Sequence, residues 1–464
     1  MKTKDIIPLM GFQIPGMVKD QGLTAVELVK ALIAYIDRIE PKINAWAYFR
    51  PEILLKEAEA IDTRVKNREA IGRLSAVPVG VKDIFNTKDM PTCMGSKLWD
   101  GFTPGNDARV VSYLRWEDAI VFGKTVTAEF AVHEPGPTRN PHDLDYYPGT
   151  SSSGSAASVA SGMVPVALGT QTAGSIIRPA SYCGVYGFKP SFGTLPRTAM
   201  LKTTDTLDQV GFFTRSIEDV GLAFDVMRVK GENFPFVHRH MDEPGDLKKD
   251  SWRIGYIEHP KWDCVDDYAR EGFSNFLKDL SRAKGIKLEK VVLPDAFNDA
   301  HDIHERIYNK TLAYYFKEES KKKELVSKVL LGMIEEGKKL SLDDYKDAIS
   351  RQEQLAGELD KILEGYDAVV TLSTSGQAPK FDNPVDKPDS CLIWSLCWVP
   401  ALNIPVFKGP TGLPYGLQVI TKRYRDLSLI EFVKSLKEKG IVVDAQIPEW
   451  IGKEAELAGM KKGA

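Results

Sequence analysis

Residues 24–40, TAVELVKALIAYIDRIE, repeat their apolar positions at helical spacing, and Thr24 followed three residues later by Glu27 forms a capping box. The segment is predicted to be a helix, and the same spacing predicts a second over Pro51 to Lys66. Short apolar runs follow: VPVGV (77–81), AIVFG (119–123), VPVAL (164–168), RIGYI (253–257), KVVLP (290–294) and AVVTL (368–372). Each reads as a buried strand, and helical patterns lie between several of them. Strands alternating with helices imply parallel pairing covered on both faces. The fold expected is therefore a single α/β domain, with a mixed, mostly parallel central sheet flanked by helices on both faces.

Within that one domain (1–464) the composition changes along the chain. Residues 1–65 hold the N-terminal helices, 66–240 the core that carries the candidate chemistry, and 367–464 the C-terminal part of the core. Residues 241–366 are charged and strongly helical in pattern, as in SKKKELVSKVLLGMIEEGKKL, and read as a helical subregion attached to the sheet. Its lysine runs alternate with acids and have few aromatics, so they read as a solvated helix face.

The whole chain of 464 residues carries 61 Lys and Arg against 64 Asp and Glu, a net charge of -3. That balance supplies no global field for nucleic acid or an anionic membrane, and neither is expected as a partner. Five scattered cysteines, odd in number and without a C-x-x-C pair, suit a reducing compartment. Asp5, Pro8, Gln13 and Pro15 interrupt the apolar N-terminus, which therefore does not read as a signal peptide, and the cytoplasm is the expected location.

One stretch departs from the rest. Tyr146 to Ile177 contains no charged residue and no histidine over 32 positions, in a chain that is 27% charged. It is rich in Gly and Ser, yet VASGMVPVALG has the apolar content of a packed helix-to-strand passage rather than a linker. Gly149–Ser155 and Gly169–Ser175 are turns in which free N–H groups could form a donor site for a negative oxygen. With Ser175 at the second turn, the N–H groups of Thr172, Ala173, Gly174 and Ser175 are candidates for an oxyanion hole; a closely packed turn is the alternative.

A nucleophilic serine needs a base. All seven histidines lie outside the neutral stretch, and no G-x-S-x-G elbow occurs. Ser281 and Ser320 precede a lysine by three residues, but in charged amphipathic helices. Lys82 differs, because it directly follows the apolar run 77–81 and would emerge from a buried strand end. His301 and His304 could form half of a metal site, yet no third ligand is evident and no metal is expected. No phosphate-binding G-x-x-x-x-G-K-[ST] is present, so no ATP-dependent step and no cofactor is expected.

Taken together, GVKDIF (80–85), GTSSSGSAASVA (149–160) and GTQTAGSIIRPASYCGVYGFKPSFG (169–193) resemble the amidase signature enzymes. The resemblance continues more loosely through SKLWDGFTPGNDARVVSYL, GKTVTAEFA, VPALNIPVF and GLPYGLQVI. It implies a catalytic set of Lys82, Ser151 and Ser175: the lysine draws a proton from Ser151, Ser151 relays one from Ser175, and Ser175 attacks the carbonyl. It also implies a non-proline cis peptide before Ser151, with Thr150 where glycine is more usual. Ser152-Ser153-Gly154 stands for the commoner Ser-Gly-Gly, which makes Ser152 the fallback relay. Gln171 replaces a frequent aspartate. GTQTAGSIIRPA looks like the malonamidase-like branch, in which Arg178 would face a substrate carboxylate, the alternative being an arginine that anchors the turn. Met94 and Trp394 are further candidate substrate contacts, core packing being the rival role for Trp394.

The activity implied is hydrolysis of a carboxamide C–N bond on linear amides through an acyl-serine, with esters as side substrates. The partners expected are a small-molecule amide and water, with a homodimer as the assembly to test. Two rivals stand beside this reading: a glutaminase-type subunit of a tRNA-dependent amidotransferase, and a catalytically silent binding protein on the same fold.

Overall fold

The computed structural model describes residues 2–20, 22–231, 239–242 and 244–458. His238 lies outside them. Eleven strands form one sheet: β1 (Trp46–Phe49), β2 (Pro78–Lys82), β3 (Ile120–Thr125), β4 (Val166–Gln171), β5 (Tyr186–Lys189), β6 (Gln209–Thr214), β7 (Trp252–Tyr256), β8 (Ile286–Lys290), β9 (Ala368–Leu372), β10 (Ala401–Lys408) and β11 (Pro414–Ile420). Their order across the sheet is β1-β3-β2-β4-β6-β5-β10-β11-β9-β7-β8. Both predicted N-terminal helices form, as Ala25–Ile43 and Pro51–Lys66, and the first begins with the capping box of Thr24 and Glu27.

The sheet is mixed, as expected, but it is not mostly parallel. Parallel pairing is confined to two blocks, β3-β2-β4 and β9-β7-β8. Between them, β4-β6-β5-β10-β11-β9 is antiparallel throughout. Connection length explains part of this, because a parallel pair needs a crossover of about a dozen residues or more. The loop 409–413 joining β10 to β11 is too short for that and closes a hairpin.

The segment 241–366 is less purely helical than its composition suggests, since it adds β7 and β8 to the same sheet. The predicted strand at 290–294 is displaced: β8 ends at Lys290, where the apolar run begins. β8 is an edge strand, open to solvent, so it tolerates a polar IKLEK sequence; Val291 then turns inward while Val292 is exposed.

The neutral stretch folds as a helix, Ser153–Ala160, laid on β2, β3 and β4, followed by β4 itself. Every residue of that helix is buried. Small residues are needed because backbone meets backbone: a Cβ on Gly154 would lie 2.3 Å from the Ala45 carbonyl oxygen and 2.4 Å from the Val126 nitrogen. Ser155 spans the contact, its hydroxyl 2.7 Å from the Leu168 carbonyl and 2.6 Å from Thr125 Oγ1. A charged side chain in this layer would lose water and gain no partner.

Candidate active site

β2 and β4 are parallel neighbours, so their carboxyl ends open on the same edge of the sheet, where α/β folds place their ligands. β2 is buried along its whole length and ends on Lys82, whose side chain is fully buried. Its Nζ donates to three hydroxyls: Ser151 Oγ at 2.8 Å, Ser152 Oγ at 2.9 Å and Thr170 Oγ1 at 3.0 Å. Burial lowers the Lys82 pKa from 10.5 to about 7, opposed by the field of Asp208. A cation without a carboxylate partner in a dry site is disfavoured, so the ammonium releases its proton easily.

The two candidate relay serines differ in what else they touch. Ser152 also donates to the Thr170 carbonyl at 3.3 Å, so its proton is directed into the sheet. The Ser151 hydroxyl has Lys82 as its sole hydrogen-bonding partner among the described residues, and its other side is uncommitted. The peptide bond preceding it, Thr150–Ser151, is cis, as the resemblance implied.

Ser175 lies on the turn between β4 and the helix Ile177–Cys183 and is half-buried. Its hydroxyl makes no hydrogen bond among the described residues, so the structure joins Lys82 to Ser151 but leaves Ser151 and Ser175 without a direct bond. Such contacts often tighten only when substrate is bound. The backbone N–H groups of Thr172, Ala173, Gly174 and Ser175 are likewise free of partners among the described residues. They form a run of unspent donors beside a free hydroxyl.

The departures at Gln171, Thr150 and Arg178 each have a local explanation. Gln171 Oε1 accepts from the N–H groups of Ile176 and Ile177, both at 2.9 Å, which fixes its Nε2 toward Ser395 Oγ at 3.0 Å. Ser395 then donates to the Ala173 carbonyl at 3.1 Å. Thr150 donates to Asp386 Oδ2 at 3.1 Å, and that carboxylate lies 3.3 Å from Arg178 Nη1. Arg178 Nε also donates to Asp389 at 2.9 Å. The guanidinium is thus committed to two carboxylates, and it backs the turn closely enough that a Cβ on Gly174 would lie 2.8 Å from Nη2. This is the geometry of an arginine that anchors the turn.

The remaining candidates separate. Met94 sits on the loop after β2, at a positive φ of 57°, with its N–H on the Asp83 carbonyl at 2.9 Å and its carbonyl accepting from Phe130 at 2.8 Å. Trp394 is not a pocket wall: it is fully buried in the helix Cys391–Leu396, with its indole N–H on Ser390 Oγ at 3.3 Å. Its apolar neighbourhood in sequence, CLIWSLCWVPAL, is that of a core element. His304 directs Nε2 at the Thr172 carbonyl, 3.0 Å away.

Sequence reasoning missed Asp208 and Lys189. Asp208, just before β6, accepts from Thr172 Oγ1 at 2.8 Å and from the N–H and hydroxyl groups of Thr203 and Thr204 at 2.7 to 3.1 Å. The run TTDTLD held the signal, an acid amid hydroxyls near a buried lysine in space. Lys189, at the end of β5, is as buried as Lys82, and burial lowers its pKa to about 7 as well. Its Nζ meets Gln209 Oε1 at 2.9 Å, the Trp394 carbonyl at 3.4 Å and the Val399 carbonyl.

Comparison with known proteins places this geometry. A family profile described as Amidase matches residues 27–430. One component of the glutamyl-tRNA(Gln) amidotransferase of Clostridium botulinum (strain Okra / Type B1) is 28% identical over 94% of this chain and 98% of its own length. A crystal structure of an amidase superposes with a TM-score of 0.82 at 28% identity, covering 93% of this chain and all of the other. A chain from a vestigial protein complex, reported with the evolutionary origins of an s-triazine catabolic enzyme, gives a TM-score of 0.85 at 25% identity, over 94% of this chain and all of the other. With most of its length inside the family pattern and the same mixed α/β architecture, the chain belongs to the amidase family.

Proposed function

We propose that this chain hydrolyses the C–N bond of linear carboxamides through an acyl-serine on Ser175, with Lys82 as base and Ser151 as relay. The observation that carries the reading is the 2.8 Å contact of a fully buried Lys82 with Ser151, at a lysine whose pKa burial lowers to about 7. A neutral Lys82 amine takes the proton of Ser151, which takes that of Ser175 as its oxygen bonds to the amide carbon. The negative oxygen that forms is received by the free N–H groups of the 172–175 turn. Collapse breaks the C–N bond, and the proton held on Lys82 returns through Ser151 to the leaving amine. Water then attacks the acyl-serine by the same route, releasing the acid and regenerating Ser175. Esters follow the same path with an easier leaving group. Ser151 is the better relay than Ser152, whose proton is spent on the Thr170 carbonyl.

A fluorophosphonate should label Ser175 in the wild type, and amide turnover should be lost in both Ser175→Ala and Lys82→Ala, with the double variant no worse than either. No adduct, together with wild-type turnover no higher than that of Ser175→Ala, would return the chain to the silent-binder reading; unaffected turnover in Ser175→Ala would instead move the nucleophile away from Ser175.

A second reading is favoured by the curated relatives named as glutamyl-tRNA(Gln) amidotransferase components, which match along nearly their whole length. On it, the same acyl-serine chemistry would release ammonia from glutamine for partner chains. Steady amide hydrolysis by the purified chain alone supports the first reading; activity that depends on added partner chains supports the second. The malonamidase-like assignment gains little from the geometry, because Arg178 already has Asp386 and Asp389 as counterions.

A further inference from the structure

The turn that carries the free N–H groups is held from behind at three successive carbonyls. Thr172 O accepts from His304 Nε2 at 3.0 Å, Ala173 O from Ser395 Oγ at 3.1 Å and Gly174 O from the Arg178 N–H at 2.9 Å. These peptide bonds are trans. In a planar trans peptide the carbonyl and the following N–H point in opposite directions. Each anchored carbonyl therefore turns the next N–H, of Ala173, Gly174 and Ser175 in succession, to the other side of the chain.

The three anchors differ in origin. The Arg178 N–H belongs to the adjoining helix and Ser395 to the Gln171 network. His304 comes from the helix Ala300–Tyr315, far away in sequence. Its ring is buried, and burial together with His301 and His133 lowers its pKa to about 4, so near pH 7 it carries one proton. A carbonyl only accepts, so that proton belongs on Nε2. The Thr172 side chain is fixed independently on Asp208 at 2.8 Å, which leaves rotation of the Thr172–Ala173 peptide as the motion that His304 opposes.

Resting on the hydrolase reading above, we infer that His304 is a positioning residue: by holding the Thr172 carbonyl it aims the Ala173 N–H at the oxygen that becomes negative in the transition state. The segment that supplies it lies outside the three motifs that carry Lys82, Ser151 and Ser175.

Loss of a whole oxyanion donor costs about 10²- to 10³-fold in rate, so a misdirected one should cost about 10- to 100-fold. His304→Leu should lower kcat by that factor and leave KM within about threefold, because the donor acts on the transition state more than on bound amide. His304→Gln, which keeps an N–H at similar reach, should recover most of the rate. A wild-type kcat in His304→Leu, or an equal fall in both variants, overturns the inference. Should His304→Leu fail to fold, 15N-histidine spectra of the wild type at pH 7 decide: a proton on Nε2 supports the anchor, and a proton on Nδ1 overturns it. That spectrum does not depend on turnover. Absence of Ser175 labelling by fluorophosphonate would sink the hydrolase reading, whereas labelling with an Nδ1 proton would sink only the anchor.

Discussion

Arg178 and Asp389 meet at 2.9 Å beneath the turn that bears Ser175, both of them buried. A second carboxylate, Asp386, lies 3.3 Å from the same guanidinium. Removing the arginine leaves two neighbouring acids without their shared counterion. Breaking a buried pair of this kind costs about 3 to 5 kcal/mol. Arg178→Ala is therefore expected to lower the melting temperature markedly. Across a panel of neutral amides and dicarboxylic monoamides, the ratio of kcat/KM values should stay within about threefold of wild type. A selective loss of the acidic substrates would show that the arginine recognises a substrate carboxylate after all.

Ser151 and Ser152 both touch Lys82, yet only Ser151 has an uncommitted side. Ser151→Ala should lower kcat by about 10²- to 10⁴-fold, the usual worth of a positioned proton-transfer group. Ser152→Ala removes one of three hydroxyls around the amine and should cost less than about tenfold. Turnover at saturating amide separates them, and the reverse order would move the relay to Ser152.

The lysine also sets the pH response. Its pKa in the folded chain is about 7 against 10.5 in the unfolded one, so the neutral base accumulates as pH rises through 7. The expected kcat/KM climbs with pH and levels off above about 8. An inflection near 10 would identify a solvated lysine and remove the base.

Stability carries the same signature with a definite sign. Between pH 7 and 10.5 the unfolded chain binds more protons at this position than the folded one, so wild-type stability gains from rising pH there. Lys82→Met, inactive, should melt above wild type at pH 6, with the difference shrinking toward pH 10. The full effect at low pH is on the order of 5 kcal/mol before the lost hydrogen bonds are subtracted. Paired thermal melts across that range test it, and a constant difference would mean that Lys82 is not desolvated.

Gly154 offers a purely steric test. An added methyl would press on the Ala45 carbonyl at 2.3 Å and the Val126 nitrogen at 2.4 Å, both backbone atoms that cannot rotate away. Gly154→Ala should destabilise by about 1 to 3 kcal/mol or more and lower kcat with it, because the same helix begins at the relay serines. A stable and fully active variant would mean that the helix stands farther from the sheet than described.

Much of this site was legible in the chain because its residues are close in sequence and leave compositional traces. The charge-free stretch announced a small-residue helix against a sheet, and Lys82 after VPVGV announced a buried amine. What remained hidden depends on contacts across long separations. Nothing near His304 points to Thr172, and its spacing from His301 offered only half of a metal site with no third ligand. Arg178 stood between a substrate contact and a turn anchor until a segment about 200 residues later brought Asp386 and Asp389 to it. The strand at 290–294 was misplaced because an edge strand is recognised poorly by apolar content. The antiparallel centre of the sheet was missed because pairing direction is set by connection geometry rather than by the runs themselves.

Lys82 and Lys189 are equally buried, yet their surroundings equip them differently. The amide and carbonyl oxygens around Lys189 can only receive protons, so discharging that ammonium would strand them. The uncommitted Ser151 hydroxyl beside Lys82 can turn and donate back, so the amine keeps an alcohol partner in either charge state. A proton can thus leave and return during each turnover with little reorganisation of the walls, which is the property a reversible base needs and a structural strut does not.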